Sequence, residues 1–186
     1  MNMLYDKDIR DPLFDYLEEQ FGKIRVIDEK QLGSNTRADM FMVTESEFIG
    51  IEIKSDADTY IRLASQIKGY DAYCDRNYIV AGSRHGKHVA EHVPSYWGII
   101  LVERRGEEVC FFEIRQAVSN PKCNPKLQLS LLWRRELDHI LKRFRLPKYK
   151  QKSRSYIVER IFSKMEYKQL KKQACEELFQ RDYSEI

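Results

Sequence analysis

Two apolar runs joined by a short polar segment constrain this chain more than any other feature. The first run begins after Asp39, the connection spans residues 44–47, and the second run is Phe48–Lys54. This pattern predicts two antiparallel strands. Because side chains alternate along a strand, Glu52 and Lys54 share one face. An antiparallel partner brings Asp39 beside Glu52, so the hairpin gathers two carboxylates and one ammonium group.

These residue types suit a divalent-metal site. Carboxylate oxygens are the hard ligands that Mg²⁺ or Mn²⁺ prefers. A metal held there lowers the pKa of a bound water and stabilises charge in a phosphoryl transition state. Lys54 would orient or deprotonate the attacking water, or neutralise charge on the phosphate. The alternative is a hairpin whose charges are exposed on its polar face, because lysine and glutamate are common on half-exposed strands.

The rest of the first 119 residues predicts an α/β fold. The patterns indicate helices over 6–21, 60–74 and 87–93, and strands over 24–28, 78–81, 97–102 and 109–114. Residues 55–59 supply capping residues for the second helix. A helix between two strands predicts that those strands are parallel. The order α-β-β-β-α-β-α-β-β therefore predicts a mixed β-sheet flanked by helices.

A helical extension follows the predicted sheet domain. Two Asn-Pro pairs interrupt the chain within residues 119–125, so we predict a core over 1–119 and an extension over 120–186. The segment from Lys142 to Lys172 contains twelve basic and two acidic residues, so its charge is +10 and that of the remainder is −7. Such a tail suggests binding to a polyanion, and a solvated helical face is the alternative.

The hairpin residues resemble a known nuclease motif. Arg37-Ala38-Asp39 followed by Glu52-Ile53-Lys54 is similar to the motif of the PD-(D/E)XK nuclease superfamily, with alanine where the name-giving proline stands. The resemblance implies a restriction-endonuclease-like fold and a Mg²⁺ or Mn²⁺ cofactor. It also implies that Asp39, Glu52 and the backbone carbonyl of Ile53 bind the metal, and that Asp39, Glu52 and Lys54 are catalytic.

Other positions follow from the same resemblance. Superfamily members often supply a further carboxylate from the first helix, and Glu18 stands there. A glutamine on the helix after the E-x-K element supports the lysine or the phosphate in several branches, and Gln66 fits that position. Arg37 and Arg62 are predicted to contact phosphate, with a structural ion pair as an equal alternative.

Further motifs extend the resemblance along most of the chain. Asp8-Ile9-Arg10, Trp97-Gly98 and Leu131-Leu132-Trp133-Arg134 are similar to an uncharacterised bacterial and phage family, whose members are described as PD-(D/E)XK-type proteins with a helical C-terminal extension. Residues 137–161 also resemble a SAP-like helix-extended-loop-helix element that binds DNA. The basic residues predicted to contact phosphates there are Lys148, Lys150, Lys152 and Arg154.

The expected function is metal-dependent hydrolysis of phosphodiester bonds in DNA, with the basic extension gripping the substrate. The alternative is a non-catalytic nucleic-acid-binding protein, or a phage or host regulatory protein that retains the nuclease fold. DNA is favoured over RNA as the partner, and the oligomeric state stays open. The chain has no signal-peptide pattern, no apolar run long enough to span a bilayer, and four widely separated cysteines. We therefore expect a cytoplasmic protein of a bacterium or a phage-infected host cell, with no membrane partner.

Overall fold

A six-stranded mixed sheet forms the centre of the protein. The structure, a computed structural model, describes residues 3–183. The strands are β1 (Arg25–Leu32), β2 (Thr36–Val43), β3 (Phe48–Lys54), β4 (Arg76–Gly82), β5 (Gly98–Arg105) and β6 (Glu108–Arg115). They lie in chain order; β3, β4 and β5 are mutually parallel, and the other neighbours are antiparallel. This confirms the predicted α/β class and the parallel pairing of β3 with β4.

Seven helices surround the sheet within the described residues. They are α1 (Asp6–Phe21), α2 (Leu63–Tyr73), α3 (Val89–His92), α4 (Pro125–Leu129), α5 (Arg134–Arg143), α6 (Arg154–Phe162) and α7 (Tyr167–Gln180). The last four confirm that the C-terminal extension is helical. Across residues 3–183 no helix combines the length and apolar character needed to cross a bilayer.

The two faces of the sheet have separate apolar cores. On one face Leu13 of α1 packs among residues such as Met40 and Ile51. On the other face α2 and the extension share a single cluster with the sheet, in which Phe41 and Leu137 both take part. The division predicted near residue 120 therefore separates two parts of the sequence that fold around a common core.

The start of α2 differs from the prediction. The helix begins at Leu63 instead of residue 60, and its N-cap residue, Arg62, makes no side-chain capping bond. The expected capping residue Asp58 is used elsewhere, because its carboxylate accepts hydrogen bonds from the backbone N–H of Ser55 at 2.9 Å and from its hydroxyl at 2.6 Å. The prediction that residues 55–59 cap this helix was wrong; Asp58 stabilises the turn that follows β3.

A second difference lies in β1, which extends to Leu32 instead of ending near residue 28. Glu29 has a φ of +52°, a left-handed conformation that is uncommon for a residue other than glycine. Side-chain alternation changes phase there, because Ile27 and Leu32 pack in the same cluster although they stand at odd and even positions. Because of this phase change, the side chains of Lys30 and Leu32 lie on the face of the sheet that the C-terminal extension covers.

Candidate active site

The strands β2 and β3 separate beside Asp39. Their ladder ends at the pair Met40–Ile51. Beyond it the hydroxyl of Tyr70 accepts a hydrogen bond from the N–H of Asp39 and donates one to the carbonyl of Ile51, both at 3.0 Å. The Asp39 carboxylate then accepts from the N–H of Ile53 at 2.8 Å. Two side chains thus replace ladder hydrogen bonds and hold the Asp39 carboxylate against β3.

Replacing Tyr70 by phenylalanine will test this arrangement. The buried ring keeps its packing, but the N–H of Asp39 and the carbonyl of Ile51 both lose their partner. We expect the free energy of unfolding in urea to fall by about 1–3 kcal/mol. Tyr16→Phe is the control, because the Tyr16 ring packs on Phe111 and its loss of a hydroxyl should cost less than about 0.5 kcal/mol. Equal, small effects of the two substitutions would contradict the bridging role of Tyr70.

A buried hydrogen-bond network joins three of the predicted site residues. Glu52 is fully buried, and Lys54 is only 6% exposed. The Lys54 amine donates to Glu52 Oε1 at 2.6 Å and to Gln66 Oε1 at 3.2 Å. The Gln66 amide donates to the same Glu52 oxygen at 2.6 Å. The alternative of a hairpin with exposed charges is therefore wrong, and the predicted contact between Gln66 and Lys54 is present.

The negative charges of the Asp39 and Glu52 carboxylates are incompletely balanced by their surroundings. Burial, and then the nearby charge of Glu52, raise the pKa of Asp39 to about 7, against the opposing influence of the Ile53 N–H, Lys54 and Arg10. Burial and the same two carboxylates raise the pKa of the Tyr70 hydroxyl as well. In addition, Glu52 Oε2 is buried and has no hydrogen-bond partner within residues 3–183. A buried polar atom without a partner is costly, so the site favours an added positive charge.

These features fit a divalent cation held by Asp39 and Glu52. Such an ion would give Glu52 Oε2 a partner and offset the repulsion between the carboxylates. Among residues 3–183 there is no group of three or more histidine, cysteine, aspartate or glutamate residues placed to hold a metal. A cation with two protein carboxylates would therefore keep several waters, as Mg²⁺ commonly does. The Ile53 carbonyl stays a predicted ligand.

Two arginine side chains lie next to the site, one from α1 and one from β2. Arg10 donates to the carbonyl of Asp39 at 2.8 Å and forms ion pairs with Asp6 at 2.6 Å and Glu29 at 2.7 Å. Arg37 pairs with the other oxygen of Glu29 at 2.6 Å, and its side chain is 65% exposed. Arg37 thus stands at the rim with free access to solvent, whereas Arg10 positions the backbone of Asp39.

Two predicted residues do not join the network. Glu18 is exposed on α1, which packs on the face of the sheet opposite Glu52. It therefore lies outside the network formed around Glu52, and its role as a further site carboxylate stays a prediction. Arg62 is exposed and is the N-cap residue of α2, where its backbone carbonyl accepts a hydrogen bond from the N–H of Gln66 at 3.1 Å.

The basic loop between α5 and α6 is held in a defined shape. Arg134 donates to the carbonyls of Tyr149 at 2.7 Å and Lys152 at 2.8 Å. The rings of Tyr149 and Tyr156 meet edge to face with centroids 5.5 Å apart, so they pack on each other instead of standing free for bases. The four residues predicted to contact phosphate are all exposed: Lys148, Lys150, Lys152 and Arg154.

Not every basic residue of the extension is available to a polyanion. Lys171 is buried, pairs with Asp75 at 2.5 Å and lies 3.4 Å from the centre of the Phe48 ring. Through these contacts Lys171 helps to hold α7 against the sheet. Sequence charge alone therefore overstates the positive surface of the extension.

Arg10 and Tyr70 were not predicted as site residues. An Asp–Arg pair four residues apart, as in Asp6 and Arg10, is ordinary on a helix surface. Tyr70 belongs to the apolar stripe of α2, and a tyrosine in such a stripe predicts only core packing. The one available signal was the hydroxyl itself, which a buried position obliges to find a partner.

Comparison with known proteins places the chain in a phage family. No curated protein matches it. A solved structure of a protein of unknown function from Silicibacter pomeroyi is 21% identical, covers 69% of this chain and 81% of its own, and superposes with a TM-score of 0.45. A similarity at that level says nothing about function. The sequence model of the family described as bacteriophage P4 protein cII matches residues 2–185. Because that match spans nearly the whole chain, the protein belongs to the bacteriophage P4 cII family.

Proposed function

We propose that this protein is a metal-dependent nuclease that hydrolyses phosphodiester bonds in DNA, with its basic helical extension gripping the substrate. The observation that carries the proposal is the placement of Asp39 beside Glu52, where β2 and β3 separate. Lys54 and Gln66 complete the cluster through direct hydrogen bonds to Glu52 or to each other. Side chains of these types in a buried network match the chemistry of phosphodiester hydrolysis.

The protein residues would divide the work as follows. A bound Mg²⁺ or Mn²⁺ would supply an activated water and charge stabilisation. Asp39 and Glu52 would hold that ion. Lys54 has three N–H donors, and two of them point to Glu52 and Gln66. The third is available to a phosphate oxygen or to the attacking water, so Lys54 acts in this site as a fixed donor. Gln66 keeps the lysine in place.

A second candidate is a phage or host regulatory protein that binds nucleic acid without cleaving it. Membership of a family named for a bacteriophage protein favours this candidate more directly than it favours an enzyme. The engagement of Asp39 Oδ2 by the Ile53 N–H, and of Glu52 Oε1 by two donors, also suits a site that serves only the fold.

Cleavage assays separate the two candidates. Supercoiled plasmid and single-stranded circular DNA are incubated with Mg²⁺ or Mn²⁺ and wild-type protein, Lys54→Ala, or Lys7→Ala, which changes an exposed lysine of α1. Nicking or degradation by wild type and Lys7→Ala, but not by Lys54→Ala, is the expected result. Equal cleavage by all three would contradict the assignment of the site. No cleavage, together with salt-sensitive binding of the same DNA, would establish the second candidate.

A further inference from the structure

A pocket of about 420 Å³ lies between the β1–β2 turn and the C-terminal extension. Its lining includes two cationic side chains, two serine hydroxyls, an indole and a turn glycine, contributed by Lys30, Arg154, Ser34, Ser130, Trp133 and Gly33. A cavity of this size holds a small polar group with its water shell. Nothing in the proposed cleavage chemistry uses it.

The pocket carries positive charge without a counter-ion. Neither Lys30 nor Arg154 forms a side-chain hydrogen bond or ion pair within residues 3–183. Burial, and then the nearby charges of Arg181 and Arg154, lower the pKa of Lys30 to about 8, and only Glu136 opposes this shift. Glu136 is already engaged by Arg181 at 2.5 and 2.6 Å and by the N–H of Trp133 at 2.6 Å. An anion in the pocket would therefore relieve an existing repulsion.

The pocket is a close neighbour of the candidate active site. Lys30 pairs across the sheet with Ala38, the residue next to Asp39. On the facing helix, Tyr73 lines the pocket and Gln66 contacts Glu52. Seven residues of α-helix separate these two side chains, a rise of about 10 Å. A nucleic-acid strand with one phosphate at the carboxylates would carry a further phosphate within reach of the pocket.

We propose that the pocket between Lys30 and Arg154 binds a backbone phosphate of the nucleic-acid strand that enters the active site. The two cations supply charge, and the hydroxyl of Ser34 can donate a hydrogen bond to a phosphate oxygen, whereas the Ser130 hydroxyl already donates to the carbonyl of Leu127 at 2.6 Å. The inference rests on the proposed function only in requiring that the protein binds nucleic acid, and it does not require cleavage. It assigns Lys30, which lies on the edge strand β1 and outside the basic extension, to substrate binding.

Salt-dependent binding tests this inference. Fluorescence anisotropy in EDTA, which prevents metal-dependent cleavage, gives the affinity for a labelled single strand and its duplex over a range of salt concentrations. Lys30→Gln and Arg154→Gln should each lower the slope of log K against log salt by about 0.7–0.9, and weaken binding about 5- to 10-fold at 0.1 M salt. Lys7→Gln, an equal charge change at an exposed residue of α1 outside both the pocket and the extension, should leave the slope near that of wild type.

Three results would overturn the inference. One is an unchanged slope for both pocket variants, or a change equalled by Lys7→Gln, which would indicate a diffuse electrostatic effect. Another is absence of nucleic-acid binding by wild type at low salt. The third is thermal stabilisation by inorganic phosphate that Lys30→Gln loses while the nucleic-acid slope is unchanged, which would assign the pocket to a free anion.

Folding and cleavage are controlled separately. Arg154 is exposed, and replacing Lys30 removes a repelled charge, so neither variant should have a lower melting temperature than wild type. If the pocket variants lower the salt slope but wild type cleaves no DNA, the phosphate pocket is supported and only the nuclease proposal is contradicted. If wild type cleaves DNA but the pocket variants leave the salt slope unchanged, the nuclease proposal is supported and the phosphate pocket is contradicted.

Discussion

Asp39→Asn will raise the free energy of unfolding at pH 8.5 by about 2–4 kcal/mol in the absence of metal, and will change it little at pH 4. Asparagine keeps an oxygen that can accept the hydrogen bond of the Ile53 N–H, which the aspartate now accepts at 2.8 Å. It removes one of two like charges that burial forces together. The substitution therefore stabilises the fold by removing a repulsion.

The sign follows from the direction of the pKa shift. The pKa of Asp39 rises from 3.8 to about 7 on folding, mainly through burial and then through Glu52. Between these pH values the folded protein holds a proton that the unfolded chain has released, so the stability of wild type falls as the pH rises from about 4 to 7. Above pH 7 the full penalty is present. The asparagine variant is free of it at every pH.

Urea unfolding in EDTA at the two pH values provides the measurement. Asp15→Asn is the matched control, because Asp15 is exposed on α1 and the same chemical change there should stay within about 0.5 kcal/mol. A difference between Asp39→Asn and wild type that is equal at pH 4 and pH 8.5 would contradict the buried, repelled carboxylate.

The same substitution should remove function while it adds stability. If Asp39 and Glu52 hold a cation, Mn²⁺ will raise the melting temperature of wild type and not that of Asp39→Asn. Metal-dependent cleavage should fall by at least about 100-fold. This opposition is common at catalytic sites, where like charges are kept together for their chemistry at the expense of the fold. If Asp39→Asn is more stable than wild type but Mn²⁺ shifts the melting temperatures of both proteins equally, the regulatory candidate is favoured.

Much of the framework around this site follows from local sequence patterns. The hairpin carrying Asp39 and Glu52 has apolar runs and a polar turn of the right length, so strand alternation alone places Glu52 and Lys54 on one face. The parallel pairing of β3 with β4 follows from the intervening helix. Gln66 reaches the network because α2 has to return along the sheet to start β4. Each of these inferences depends on neighbours within about 30 residues.

The features that could not be predicted depend on contacts between distant segments. Glu29 adopts its left-handed conformation where its carboxylate meets Arg10 and Arg37, one of which lies 19 residues away on α1. The position of Lys30 against the extension follows from that local change and from the packing of α6. The placement of Glu18 on a helix packed against the other face of the sheet was not predictable either, because helix spacing fixes the face of a residue only relative to its own helix. It does not fix the face of the sheet on which that helix packs.

Lys54→Met will destabilise the protein by about 3–5 kcal/mol, because it leaves the fully buried carboxylate of Glu52 without its cationic partner. Gln66 alone can then donate to that carboxylate. The matched control is Lys126→Met, which breaks the ion pair with Glu159, where both side chains are about half exposed. An exposed pair contributes little, so the control should cost less than about 1 kcal/mol.

The double variant Glu52→Gln with Lys54→Met decides between two explanations of such a loss. If the cost arises from an unpaired buried charge, removing the carboxylate as well should restore most of the stability, and the double-mutant cycle should give a coupling of at least about 2 kcal/mol. If the cost arises from lost packing of the lysine stem, the double variant will be no more stable than Lys54→Met. Urea unfolding of the four proteins at pH 7 gives the answer. The first outcome identifies the double variant as the right inactive control for binding studies, because it lacks the cluster chemistry and keeps the fold.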